Sequence, residues 1–260
     1  MKVKLFLFTA VIVIALVNNG SFDDFFGSTS GQQHATSGNP SAPHPVTPDP
    51  KGVWPYLDEQ SKQASLSDDL LRSNYYVVFD GSGSMSQKGC SGDTSKEIAA
   101  KNALVEFSRI VPANANLGML VFDDHGISER TPLGINNREQ FRLQVRQTYA
   151  NRGTPLYSSI KMAYNKITQQ AKKQLGYGEY HIIIVTDGEA DDNENPRKLV
   201  DKIISSTPIV IQTIGFCINT RHSLNQPGKT IYKAATDIQS LKQGLKDVLA
   251  ESPSFSAQQF

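Results

Sequence analysis

The sequence predicts an α/β domain, doubly wound, with a mostly parallel sheet and helices on both faces, preceded by a signal or anchor segment and a flexible tether. Three observations carry this. From about residue 73 onward, short β-forming runs alternate with longer stretches of helical spacing, as in a parallel sheet covered on both sides. The run 181–186, His-Ile-Ile-Ile-Val-Thr, is apolar on both faces, as a central strand must be. Two of the strand-like runs end directly in Asp-Gly, placing polar turns where such sheets gather their ligands, at the carboxyl ends of the strands.

In order, residues 75–79 (Tyr-Tyr-Val-Val-Phe) read as the first strand, ending at Asp80. Residues 95–110 follow with an apolar stripe through Ile98, Ala99, Leu104, Val105 and Phe107, and read as a helix. A second strand is expected over 117–122 and a short edge strand over 128–133. Helices are expected over 137–150, with Phe141 and Val145 one turn apart, and over 156–173. The central strand 181–186 precedes a helix at 196–205, a strand at 209–216 and a closing helix at 238–250.

The preceding chain reads differently. Lys2 and Lys4 introduce a run from Leu5 to Val17 that is apolar except for Thr9. A spanning helix needs about 20 apolar residues, so residues 1–19 read as a signal peptide or an N-terminal membrane anchor. Val17-Asn18-Asn19-Gly20 offers no Ala-x-Ala cleavage site, and no cysteine follows closely for lipid attachment. Export is the expectation, with an extracytoplasmic location and cleavage left open. Residues 20–72 begin rich in Ser, Gly, Pro, Asn and Thr, too polar to offset the entropy of ordering, and read as a linker. Trp54, Tyr56 and Leu57 mark a point where it docks back on the domain, which occupies 73–260. With a formal net charge of +1, whole-molecule electrostatics favour neither nucleic acid nor an acidic substrate, so any charge-based function is local.

Three turns are expected at one rim: Asp80-Gly81-Ser82-Gly83-Ser84, Gly153-Thr154-Pro155-Leu156 at a helix start, and Thr186-Asp187-Gly188. Two carboxylates and three hydroxyls there make an all-oxygen site suited to a hard cation: Mg²⁺, with Mn²⁺ or Ca²⁺ as alternatives. Hydroxyls leave the ion's charge undiminished, so such a site welcomes a carboxylate from another molecule. The alternative is that these are turn and capping residues, which Asp, Ser, Thr and Gly favour; it leaves the coincidence of three turns unexplained.

At these residues the chain resembles the von Willebrand factor A family, which includes integrin inserted domains. That family's metal-ion-dependent adhesion site is Asp-x-Ser-x-Ser, a later Thr and a later Asp, matched here by Asp80, Ser82, Ser84, Thr154 and Asp187. The resemblance covers about residue 73 to the C-terminus. It implies a non-enzymatic module in which a protein ligand supplies an Asp or Glu carboxylate to the metal's open position. It also raises the possibility of an affinity switch in the last helix, of which the sequence carries no sign. Alternative readings are a metal-dependent hydrolase, which lacks a visible general base, and a structural subunit of an envelope complex.

Other chemistries find little support. Gly81-Ser82-Gly83-Ser84-Met85-Ser86 fails the dinucleotide fingerprint at its last position. No phosphate loop and no Gly-x-Ser-x-Gly elbow occurs, and Ser82 stands where aspartyl phosphotransferases carry a second Asp. Histidines 34, 44, 125, 181 and 222 show no zinc spacing and read as surface or boundary residues. Asp191-Asp192-Asn193-Glu194 reads as a solvated acidic loop ending in a helix cap rather than an accessory cation site, and Asp123-Asp124-His125 as a turn. Cys90 and Cys217 both map to the carboxyl rim, and in an oxidising compartment they are expected to form a disulfide, against the alternative of two free thiols.

Overall fold

The structure, a computed structural model, describes residues 53–57 and 65–251. The expected signal or anchor and most of the linker lie outside these residues, and no described helix is long and apolar enough to cross a membrane. Six strands form one sheet: β1 (Asn74–Asp80), β2 (Asn116–Asp123), β3 (Gly126–Gly134), β4 (Tyr180–Thr186), β5 (Val210–Phe216) and β6 (Ile231–Ala235). Five helices accompany them: α1 (Lys96–Ile110), α2 (Arg138–Arg146), α3 (Leu156–Lys173), α4 (Arg197–Ser206) and α5 (Ile238–Ala250). The spatial order is β3-β2-β1-β4-β5-β6, with only the β2–β3 hairpin antiparallel.

Side chains alternate across a strand, and this divides the core. Tyr75, Val77 and Phe79 of β1 face α1, α2 and α5, meeting Phe107, Phe141 and Leu245. Tyr76 and Val78 face α3 and α4, meeting Ile160, Ile167 and Ile203. β1 and β4 are buried along their whole length, as central strands covered on both faces should be. Close packing also explains Gly118: a Cβ there would lie 2.7 Å from the Tyr76 ring and 3.0 Å from the Leu133 amide.

The expected elements form, with four differences. The edge strand extends over Gly126–Gly134, beyond 128–133, because its pairing with β2 carries it to the hairpin turn. The helix expected over 137–150 stops at Arg146, and the following chain turns toward the rim. There Lys101 donates to Thr148 O and Asp124 N to Tyr149 O. β6 was not expected: five largely half-exposed residues at a sheet edge carry little apolar signal. A one-turn 3₁₀ helix, Gly83–Ser86, follows β1 inside the turn itself.

Trp54 does dock as expected. Its indole donates to Thr168 on α3 and its ring lies edge-on to Tyr180, 5.0 Å away, whereas Tyr56 stays exposed. Tyr180 opens β4, so the chain arrives at the amino ends of the strands. α5 leaves at the same pole, where Glu251 accepts from Gln212 near the start of β5.

His181 and His222 are each 3% exposed, correcting their reading as surface or boundary residues. His181 stacks on Tyr75 at 4.9 Å, and burial holds its imidazole below the ordinary 6.5. As pH falls below about 6.5 the unfolded chain takes up a proton that the fold resists. Stability from this residue is therefore full above that pH and lost beneath it. His181→Phe, which keeps a stacked ring, should show a shallower fall in melting temperature than the wild type between about pH 7 and pH 5. Equal falls in both proteins would contradict this.

Candidate functional site

The strand order reverses at β1, whose neighbours are β2 on one side and β4 on the other. Doubly wound sheets open a crevice at the carboxyl end of such a switch point. Asp80 is the last residue of β1, and Asp187 directly follows β4. Thr154 stands two residues before α3. All five expected residues therefore meet at the crevice.

Backbone hydrogen bonds fasten the loops together. Gly83 N donates to Arg152 O at 2.9 Å and Asn151 N to Gly81 O at 2.8 Å, joining the first loop to the second. Gly81 N donates to Phe122 O, and a Cβ on Gly81 would lie 2.8 Å from Asp123 Cβ, so only glycine lets the loop press on β2 this closely. Arg152 adopts φ 69°, a left-handed conformation costly for a side-chain-bearing residue and typical of functional turns.

Within this frame the oxygens converge. Ser84 Oγ donates to Asp187 Oδ1 at 2.7 Å and lies 3.0 Å from Ser82 Oγ. Asp80 accepts from Ser82 N at 2.7 Å and from Thr186 Oγ1 at 2.5 Å. A Cβ on Gly188 would sit 3.7 Å from Thr154 Oγ1 and 3.8 Å from Ser84 Oγ, so these hydroxyls crowd the turn after Asp187. Asp80 has no exposed surface. Desolvation raises its pKa to about 6, outweighing the hydrogen bonds from Ser82 and Thr186 that favour its charge.

The Asp187 side chain is fully buried, and its Oδ2 has the Lys96 ammonium against it as an ion-pair partner. Two buried carboxylates amid three hydroxyls suit a hard divalent cation better than a soft one. Among the described residues no cluster of three or more His, Cys, Asp or Glu could hold a metal ion.

The acidic loop proves structural in a way sequence reading missed. Asp191 Oδ2 accepts from Thr154 N at 2.8 Å while Asp191 N donates to Thr154 O. Glu194 accepts from Ser158 N and Ser158 Oγ, both at 2.8 Å. The loop thus caps the start of α3 rather than a helix of its own, and clamps the Thr154 turn. A Cβ on Gly153 would lie 2.1 Å from Asp191 Oδ2, which explains that glycine. Sequence reading also missed His222. Leu224 N donates to its Nδ1, leaving Nε2–H to donate to Gly188 O at 2.8 Å and brace the Asp187 turn. Asp123 remains a turn residue: it accepts from His125 N and pairs with Arg130 at 2.8 Å.

The disulfide forms between Cys90 and Cys217, with Cα atoms 5.4 Å apart and a sequence separation of 127. It ties the loop after Ser84 to the end of β5.

The sequence model for the von Willebrand factor type A domain matches residues 74–249. No curated protein matches the chain. Solved structures do. An aerotolerance-related membrane protein from Bacteroides fragilis is 16% identical with a TM-score of 0.54, the match covering 67% of this chain and 97% of that one. The manganese-loaded TRAP protein of Plasmodium vivax is 18% identical with a TM-score of 0.51, covering 68% and 73%. The pilus adhesin SpaC of Lactobacillus rhamnosus is 11% identical with a TM-score of 0.55, covering 71% and 31%. At these identities the likeness is one of fold.

Proposed function

The chain belongs to the von Willebrand factor type A family, and from that premise we propose that it is an extracytoplasmic, non-enzymatic binding module. In this reading it captures an acidic residue of a partner protein through a divalent cation at the rim, and its N-terminal segment serves as export signal or membrane tether. Asp80, Ser82, Ser84, Thr154 and Asp187 would hold the ion, Mg²⁺ or Mn²⁺ by their chemistry. When bound, such an ion supplies an electrophilic vertex that accepts a carboxylate oxygen.

One observation carries the reading: oxygens of separate turns converge at the rim, where Ser84 Oγ donates to Asp187 Oδ1 at 2.7 Å and lies 3.0 Å from Ser82 Oγ, next to the wholly buried Asp80. Turn and capping residues ordinarily bond the backbone of their own turn, which does not account for a meeting across turns. The protein's own residues would do three things. The clamp from Asp191 holds Thr154 in place, His222 braces the Asp187 turn, and the short 3₁₀ helix presents Ser84 toward Asp187. Similarity to a pilus adhesin and to a manganese-loaded protein agrees with this reading at the level of fold. The hydrolase alternative wants for a general base: His222, beside the Asp187 turn, has both ring nitrogens engaged by Leu224 N and Gly188 O.

The test is calorimetric titration of the exported domain with Mg²⁺ and Mn²⁺, followed by partner capture in either ion and in EDTA. Binding of at least one ion, and capture that EDTA abolishes, are expected. Indifference to both ions would overturn the proposal.

A further inference from the structure

Lys96 is an anomaly. It opens α1, where the helix dipole disfavours a cation, and it is 8% exposed, although lysine is almost never buried without a partner. Its partner is Asp187 Oδ2, one of the proposed metal-binding carboxylates.

The ammonium is held there rather than wandering in. Lys96 N donates to Gln87 O at 3.0 Å, fixing the first residue of the helix to the loop that follows Ser84. That loop closes over the side-chain stem: a Cβ on Gly89 would lie 3.7 Å from Lys96 Cδ and 3.6 Å from Cys217 Sγ. The Cys90–Cys217 disulfide staples the same loop to β5.

We propose that Lys96 is a tethered counter-ion of the rim, whose ammonium occupies Asp187 Oδ2 and lowers the site's affinity for a divalent cation. The inference rests on the metal reading of the rim. Asp80 and Asp187 together carry two negative charges when ionised. The lysine neutralises one of them from within the chain, so a divalent ion enters a site already half-compensated and must displace or tolerate a neighbouring positive charge. The same contact preserves the metal-free fold, because an ionised Asp187 buried without a partner is strongly unfavourable. Lys96 thereby sets the cation concentration at which the rim loads, and with it the conditions under which a partner is captured.

The experiment measures Mn²⁺ affinity by the loss of the free-ion paramagnetic resonance signal in four proteins: wild type, Lys96→Met, Lys96→Gln and Lys96→Arg. Far-UV circular dichroism verifies folding. The neutral variants are expected to bind Mn²⁺ at least tenfold more tightly than wild type, and Lys96→Arg within about threefold of it. In EDTA the neutral variants should melt below wild type, and Mn²⁺ should raise their melting temperature by more. Two neutral variants are included so that one misfolded protein leaves the comparison intact. Mn²⁺ binding by the neutral variants alone would support the lysine as the occupant of Asp187 Oδ2 while overturning metal-dependent capture by the wild type. Equal affinity in all four proteins, or weaker binding in the neutral variants, would overturn it while leaving the metal site standing. No binding by any of them would overturn the metal site itself and this inference with it.

Discussion

Asp80→Asn should stabilise the metal-free protein while abolishing its response to divalent cations. Asp80 titrates near 6 in the fold rather than at the ordinary 3.8, chiefly because it is wholly desolvated. A carboxylate so displaced costs the ionised fold about 3 kcal/mol at neutral pH. The sign follows from proton uptake: the folded state holds its proton more tightly than the unfolded chain. The penalty is absent below about pH 3.8, grows as pH rises and is complete above about 6. Asparagine keeps an acceptor for Ser82 N and offers its amide to Thr186 Oγ1, so the local geometry can persist without the charge. In EDTA at neutral pH the variant is expected to melt about 6–10 °C above wild type, a gap that closes near pH 4. Mn²⁺ should raise the melting temperature of wild type and leave the variant unmoved. A variant that melts below wild type in EDTA would contradict the argument. The expected trade, stability given up to keep a carboxylate charged, is common at binding sites.

Removing the disulfide should have a comparable effect in the opposite direction. Cys90 and Cys217 close a loop of 127 residues, and tethering so long a loop restricts the unfolded chain by up to about 4–5 kcal/mol in the chain-entropy model. Measured losses on removing native disulfides run at about 2–5 kcal/mol. Cys90→Ala with Cys217→Ala is therefore expected to lose about 4 kcal/mol in urea unfolding, with an unchanged dependence on denaturant concentration. The loop over Lys96 should loosen as well, seen as faster hydrogen exchange between Gln87 and Ser95. A loss below about 1 kcal/mol would mean that the unfolded chain is already restrained by other means.

Most of the fold was readable because its signals are strong and local. The apolar runs of β4 and β1 follow from burial on both faces. The helix over Leu156–Lys173 matches its expected bounds, since its periodic face is long. The unexpected parts owe their form to tertiary contact. β6 is a short edge strand whose place depends on pairing with β5. The end of α2 is set by Lys101 and Asp124 drawing the chain to the rim. The five candidate residues stood out because they match the family's motif and lie in turns, and the fold brings those turns to one rim. Lys96, Asp191 and His222 did not. They belong to other elements and act on the rim through single contacts, which composition and periodicity do not encode. The disulfide was inferable because the topology carries both cysteines to the same edge.

The chain reaches this domain and leaves it at one pole, beside Trp54 and Glu251, while the rim occupies the other. A molecule gripped at the rim and held from that pole is pulled along its strands, not across them. The hydrogen bonds joining β1 to β2 and to β4 then bear traction together in shear rather than parting one after another like a zip.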